Sequence, residues 1–152
     1  MSAPSGKTDG ERADGPCAVV GYDGGESARA AANWAAALLP QDGRLVLVYA
    51  CRPLHAPPSP LASASERHDI AHAVFDELAL DGEDRLLEAR TEVSDEDPVS
   101  ALTEAASRHH ASMIVVGHEQ HSWLHKKIGT VTGELLARSA VPVAVVPGEL
   151  MS

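Results

Sequence analysis

Two glycine-containing segments hold the residues that could do chemistry. The first, residues 21–26, places the carboxylate of Asp23 beside Gly24 and Gly25, just before a predicted helix. The second, residues 117–130, contains glycines, histidines and two lysines before another predicted helix. Backbone amides at the start of a helix attract phosphate. Both segments are therefore candidates for holding a phosphorylated ligand, although Gly24 and Gly25 could serve only to turn the chain.

Three histidines in the second segment suggest a metal site as an alternative. His118, His121 and His125 are three and four residues apart, so one face of a helix could present all of them. Imidazole is a common metal ligand. The segment resembles no zinc signature, however, so a solvated polar loop is the favoured interpretation and no metal site is predicted. Lys126 and Lys127 could pair with phosphate or simply solubilise the loop.

The patterns of several enzymes and signalling domains are missing from the sequence. Neither a phosphate-binding loop of the Walker A type nor a Gly-x-Gly-x-x-Gly pattern occurs. Ser27 has no histidine near it in the sequence, and helix capping explains it better than nucleophilic catalysis. A receiver domain would need paired acids after the first strand, where Asp23 stands alone. At most, slow hydrolysis of bound ATP is expected.

The elements that must position these residues are visible as apolar runs. Each run is short, rich in Val and continuous rather than alternating, which is typical of strands buried on both faces of a parallel sheet. The runs lie at residues 17–22, 45–50, 113–117 and 141–146. A fifth, more polar strand is predicted at residues 89–93. The carboxyl ends of such strands form one edge of the sheet, where ligands bind.

Helical segments separate the strands. Helices are predicted over residues 26–39, over residues 66–80 after a proline-rich loop, from the N-cap Asp97 and Pro98 to about His109, and over residues 129–139. The side chains expected to face the core are Trp34, Leu38, Leu39, Val131, Leu135 and Leu136. Alternating strands and helices predict an α/β fold with a doubly wound parallel sheet.

Length, charge and composition limit the function classes. The 152 residues suit one domain at 17–148, between a flexible tail at 1–16 and a short tail at 149–152. A net charge of -10 and 3% aromatic residues argue against nucleic acid as a partner. No apolar run is long enough for a membrane, and the polar start predicts a cytoplasmic protein. Cys17 and Cys51 are expected at opposite edges of the sheet and reduced.

The combined motifs resemble the universal stress protein family. The first block is Val19-Val20-Gly21-Tyr22-Asp23-Gly24 followed by Arg29-Ala30-Ala31, and the later blocks are Val115-Val116-Gly117, Gly129-Thr130-Val131 and Val141-Pro142-Val143-Ala144-Val145-Val146-Pro147. The resemblance covers about residues 17–148. It implies a five-stranded, Rossmann-like sheet of order 3-2-1-4-5, as in adenine nucleotide alpha hydrolases, a role in stress response or signalling, and commonly a homodimer.

The resemblance also implies a nucleotide site. ATP-binding members have a glycine, a second glycine three residues on, and nine further residues before Gly-Ser or Gly-Thr. Here Gly117 matches the first glycine, Gln120 replaces the second, and eight residues precede Gly129-Thr130. A side chain at the second position can block the approach of a phosphate to the backbone.

By resemblance, specific residues would contact ATP or AMP, with Mg²⁺ possible beside ATP. Tyr22 and Asp23 would meet the ribose or base, Ala50 the adenine, and Val116 and Gly117 the floor, while Gln120, Gly129, Thr130 and Val131 would lie at the phosphates. The alternative is a dimeric interaction protein of the same fold with a degenerate phosphate loop. The strand from Val141 to Val146 is expected at an edge of the sheet, where a second copy would cover it.

Overall fold

A computed structural model describes residues 15–51, 64–76, 88–118 and 130–148 of the chain. Within these ranges five strands alternate with helices. The strands are β1 (Cys17–Gly21), β2 (Arg44–Ala50), β3 (Glu88–Ser94), β4 (Met113–His118) and β5 (Val143–Pro147). The helices are α1 (Glu26–Leu38), α2 (Ala64–Asp76), α3 (Pro98–Arg108) and α4 (Thr130–Arg138).

The strands form one parallel sheet of order β3-β2-β1-β4-β5. This confirms the predicted order and the doubly wound α/β class. In the register of the central strands, Val19 of β1 lies between Val46 of β2 and Ile114 of β4. The chain builds outward from β1 through β2 to β3 and then crosses to β4 and β5. The strand order therefore reverses between β1 and β4, which places a crevice at the carboxyl ends of these two strands.

The core has two layers, one on each face of the sheet. Ala18 and Val20 of β1 pack with α1, whereas Cys17 and Val19 pack with α3 and α4. Because successive side chains of a strand point to opposite faces, a strand covered on both faces must be apolar at every position. This explains the continuous Val-rich runs in the sequence.

The core face of α1 is built from alanines, which corrects one prediction. The buried residues of α1 include Ala28, Ala31, Ala32 and Ala35. Of the larger side chains predicted to face the core, Leu39 is buried and Trp34 is partly buried, but Leu38 is 55% exposed. Small side chains let the helix approach the sheet closely, and a close-packed interior leaves no room there for larger ones.

The orientation of α4 corrects a second prediction. Leu135 is buried and Val131 packs against the same core, as predicted, but Leu136 is 51% exposed. Residues 131 and 135 are four apart and share a face of the helix, whereas the residue after Leu135 is turned about 100° away. Leu136 therefore lies off the face that Val131 and Leu135 turn toward the core.

The polar strand and the caps of α3 were predicted correctly. β3 is present as the strand at one edge of the sheet and pairs with β2. Asp97 caps α3, because its Oδ1 accepts a hydrogen bond of 3.0 Å from the Ser100 amide. His109 stands at the C-terminal cap of α3. Cys17 and Cys51 do not form a disulfide with each other. In the described residues, no helix has the length and apolarity needed to cross a membrane.

Candidate functional site

A cavity of about 210 Å³ lies at the carboxyl ends of β1, β2 and β4. It occupies the crevice where the strand order reverses. Its walls come from the turn after β1, the start of α1, the end of β2, and the facing sides of α3 and α4. The described lining residues are Gly21, Tyr22, Asp23, Ser27, Ala28, Val48, Ala50, Pro98, Leu102, Val116, Gly117, Val131 and Thr132.

A tight turn after β1 holds the carboxylate of Asp23 at the cavity. Its Oδ1 accepts a hydrogen bond of 2.9 Å from the Gly25 amide. Between these two residues, Gly24 has a φ of 89°, a conformation that a residue with a side chain rarely adopts. Oδ2 of Asp23 makes no hydrogen bond within the part of the chain that the structure describes. The turn thus fixes the carboxylate and leaves one oxygen to accept from a ligand.

The side walls of the cavity are apolar. Val48 and Ala50 come from β2, Val116 from β4, and Pro98 and Leu102 from α3. Ala50 lies at the end of β2, as expected from the sequence. An apolar slot with a few polar groups at its rim is the usual form of a small-molecule site, and it suits a flat ring better than a highly charged group.

The floor is formed where α1 meets the end of β4. A Cβ added to Gly117 would lie only 2.3 Å from the carbonyl oxygen of Ser27, so only glycine allows this approach. Ser27 itself is 6% exposed and lines the cavity. The predicted capping role of Ser27 is wrong, because Gly25 is the N-cap of α1 and makes no side-chain cap bond. Ser27 instead lies in the first turn, against β4.

The structure brings most of the predicted site residues together. Tyr22, Asp23, Ala50, Val116, Gly117 and Val131 line the one cavity. Thr130 begins α4 and is exposed, outside the described lining. Gln120 and Gly129 lie outside the described residues, as do His121, His125, Lys126 and Lys127. His118 ends β4 and is not among the described lining residues.

Tyr22 divides its contacts between the cavity and the core. Its backbone amide donates to the Val48 carbonyl at 2.9 Å, which ties the start of the turn to β2. Its ring packs on the face of the sheet opposite the cavity. The centroids of the Tyr22 and Phe75 rings are 6.0 Å apart, and the two rings are nearly parallel. The hydroxyl is buried and has no hydrogen-bond partner among the described residues.

Sequence reasoning missed the contributions of the helices to the cavity. Ser27, Thr132 and Leu102 were not predicted, although each lines it. Thr132 is buried and directly follows the Gly129-Thr130-Val131 block, so its proximity to that block was the available signal. Leu102 carried no signal of its own, because an apolar residue in a helix facing a sheet is ordinary core.

Among the described residues, one carboxylate carries the charge at the cavity. Asp23 is the charged group among the described lining residues. Burial raises the pKa of the neighbouring Tyr49 hydroxyl, and the charges of Cys51 and Asp23 raise it further. Within residues 15–51, 64–76, 88–118 and 130–148, no cluster of His, Cys, Asp or Glu side chains could hold a metal ion.

The sheet order and the position of the cavity define a doubly wound α/β protein. The family model of universal stress proteins matches residues 18–147. The chain therefore belongs to the universal stress protein family. No curated protein matches it at a significant level.

Solved structures with the same fold include several universal stress proteins. One, a universal stress protein in complex with cAMP, is 26% identical over 89% of this chain and 98% of its own, with a TM-score of 0.52. A family member from Burkholderia pseudomallei is 23% identical over 91% and 99%, with a TM-score of 0.62. UspA from Lactobacillus plantarum is 18% identical over 89% and 99%, with a TM-score of 0.57.

Proposed function

We propose that this protein is a stress-response module that binds an adenine nucleotide in the cavity at the strand-order reversal. The observation that carries the proposal is the Asp23 carboxylate, fixed by the Gly25 amide at the rim of an apolar slot. A relative 26% identical to this chain holds cAMP in its crystal structure, which supports an adenine ligand.

In this proposal the cavity takes the nucleoside end of the ligand. Its volume of about 210 Å³ is below the roughly 300–1,000 Å³ of sites that enclose drug-sized ligands. The adenine would lie between the apolar side chains of Val48, Leu102 and Val116. The free oxygen of Asp23 would accept hydrogen bonds from the ribose hydroxyls, and the phosphates would lie outside the described walls.

The charge of the site favours ligands with few phosphates. The described lining contributes the carboxylate of Asp23 and no cation, and the chain carries a net charge of -10. Each additional phosphate charge is repelled by this field unless a cation compensates it. We therefore expect cAMP and AMP to bind at least as tightly as ATP. The replacement of the second loop glycine by Gln120 supports the same ranking.

Calorimetric titration with cAMP, AMP and ATP tests the proposal. Replacing Asp23→Ala removes a hydrogen bond from a charged acceptor, which costs about 1.5–3 kcal/mol and lowers affinity about ten- to hundredfold. Asp23→Asn keeps an oxygen for the Gly25 amide and should lose affinity while the turn is retained. Asp69→Ala, an exposed carboxylate on α2, is the matched control. Failure of all three nucleotides to bind the parent protein would contradict the proposal.

A second candidate is a dimeric interaction protein of the same fold with a degenerate phosphate loop. It is favoured by the sequence of that loop, in which Gln120 replaces a glycine and one residue is missing before Gly129. Mass spectrometry of small molecules released from freshly purified protein separates the two candidates. An adenine nucleotide in the released fraction supports the first, and its absence together with failed titrations supports the second.

A further inference from the structure

Helix α2 packs directly behind the turn that carries Asp23, although none of its described residues lines the cavity. The ring of Phe75 is stacked on the ring of Tyr22 with an interplanar angle of 16°. Tyr49 of β2 meets the same Phe75 ring edge-on, with centroids 6.5 Å apart. Phe75 therefore connects α2 to the ends of both β1 and β2, on the face of the sheet opposite the cavity.

A second contact reaches the turn itself. A Cβ added to Gly24 would lie 3.0 Å from Cγ1 of Val74. Val74 thus packs against Gly24, the residue of the turn with a positive φ. Gly24 lies between Asp23 and Gly25, which are joined by the hydrogen bond from the Gly25 amide to the Asp23 carboxylate. Cγ1 of Val74 therefore occupies the space into which a side chain at position 24 would extend, and Val74 packs behind the turn.

The attachment of α2 is narrow. Among its residues with described side chains, the inner face carries His68, Ala71, Val74 and Phe75 at the spacing of one helical stripe, and of these four only Ala71 and Phe75 are buried. On the outer face, Ile70 is 55% exposed. An element held by few apolar contacts detaches at a lower free energy than the rest of a domain. The position of the Asp23 turn is therefore linked to one of the more weakly held helices described.

We infer that α2 positions the Asp23 carboxylate, and that its docking through Val74 and Phe75 sets the affinity of the cavity for adenine nucleotides. This inference rests on the proposed function. Linkage between two equilibria is reciprocal, so a bound nucleotide strengthens the docking of α2 by the same factor. Val74 and Phe75 act as positioning residues, since their contacts are with Gly24, Tyr22 and Tyr49 rather than with the ligand.

The test compares Val74→Ala with Ile70→Ala. Both variants remove a branched apolar side chain from the same helix, but only Val74 touches the turn. Titration with cAMP, AMP and ATP should show that Val74→Ala weakens binding about three- to tenfold and Ile70→Ala leaves it unchanged. In an Asp23→Ala background, Val74→Ala should have no further effect, because the carboxylate that it positions is gone. Equal additional losses in both backgrounds would reduce Val74 to a structural role and overturn the inference.

A measurement without nucleotide keeps this inference separate from the proposed function. The amide of Gly25 donates to Asp23, so its NMR chemical shift reports the geometry of the turn. Val74→Ala should shift this resonance in the ligand-free protein, and Ile70→Ala should not. An unmoved Gly25 resonance overturns the positioning role whether or not nucleotides bind. A moved resonance in a protein that binds none of the three nucleotides supports the positioning of Asp23 and contradicts the proposed function.

Discussion

Tyr22 shows how a residue can serve a site through its backbone and the core through its ring. Its hydroxyl is buried and has no hydrogen-bond partner in the described part of the chain. Leaving a buried hydroxyl unpaired costs about 1–3 kcal/mol. Tyr22→Phe keeps the stacking on Phe75 and removes this cost, so the free energy of unfolding should rise by about 1 kcal/mol in urea denaturation. A lower free energy of unfolding would show that the hydroxyl has a partner.

Glu92 of β3 joins the edge of the sheet to the end of α3. It accepts hydrogen bonds from Arg108 at 3.1 and 3.3 Å, and Nε2 of His109 lies 2.5 Å from its Oε2. Burial raises the pKa of Glu92, but the hydrogen bonds and charges of Arg108 and His109 outweigh it, and the pKa lies below its ordinary value. A carboxylate with a lowered folded-state pKa stabilises the fold above its unfolded-state pKa.

The stabilisation by Glu92 should therefore depend on pH. Glu92→Gln should lower the free energy of unfolding by about 1 kcal/mol near pH 7, since the site is partly exposed. The difference from the parent protein should shrink as the pH falls below about 4.3 and through the lowered pKa, because the carboxylate is then protonated in both states. Urea denaturation of both proteins from pH 7 down through the lowered pKa measures this difference in the free energy of unfolding. Glu104→Gln, an exposed control on α3, should show no such trend. A constant difference at all pH values would contradict the argument.

At the scale of elements, the sequence predicts strands better than helix faces. The Val-rich run at β1 predicts one structure, a central strand, because both faces of such a strand are covered and every position is apolar. The sequence of α1 allows several orientations of the helix, since the alanines, Trp34 or Leu38 could each have faced the sheet. In the structure the start of α1 lies so close to β4 that Gly117 has no room for a Cβ beside Ser27, and small side chains suit this short distance. Such a distance depends on two segments far apart in the chain and leaves no mark in either one alone.

The same reasoning explains which parts of the site were predictable. Asp23, Ala50 and Gly117 end or follow strands, and parallel strands end at a common edge, so their proximity followed from the sheet alone. Leu102 and Thr132 enter the cavity through the height and rotation of α3 and α4 over the sheet. These depend on packing between the helices and could not be obtained from the pattern of either helix.

The N-cap of α3 links an element boundary to the cavity wall. Asp97 accepts from the Ser100 amide at 3.0 Å, and Pro98, the next residue, lines the cavity. Replacing an N-cap Asp by Ala costs about 1 kcal/mol. Asp97→Ala should therefore lower the free energy of unfolding by about this amount in urea denaturation, whereas Asp69→Ala on the outer face of α2 should change it little. Equal effects of the two substitutions would contradict a capping role for Asp97.

For the whole molecule, the two edges of the sheet differ in chemistry. The β3 edge carries Arg90, Thr91 and Glu92 in its central part, and charged side chains on an edge strand discourage pairing with another chain. The β5 edge carries Val143, Ala144 and Val145 and no charge, and Val145 is 37% exposed. The strand begins at Val143, after Pro142, which has no amide to donate. An uncharged apolar edge strand of this kind can pair with the same strand of a second copy.

We propose that β5 pairs with β5 of a second copy in antiparallel fashion, which gives a closed two-fold dimer. Val145→Lys should dissociate it, because the lysines of both copies would enter an apolar interface, lose solvation and repel each other. Sedimentation velocity at micromolar concentration should give the mass of a dimer for the parent protein and of a monomer for Val145→Lys, with unchanged circular dichroism. Thr91→Lys places the same charge on the β3 edge and should leave the dimer intact. A monomeric parent protein, or a dimer that survives Val145→Lys, would contradict pairing through β5.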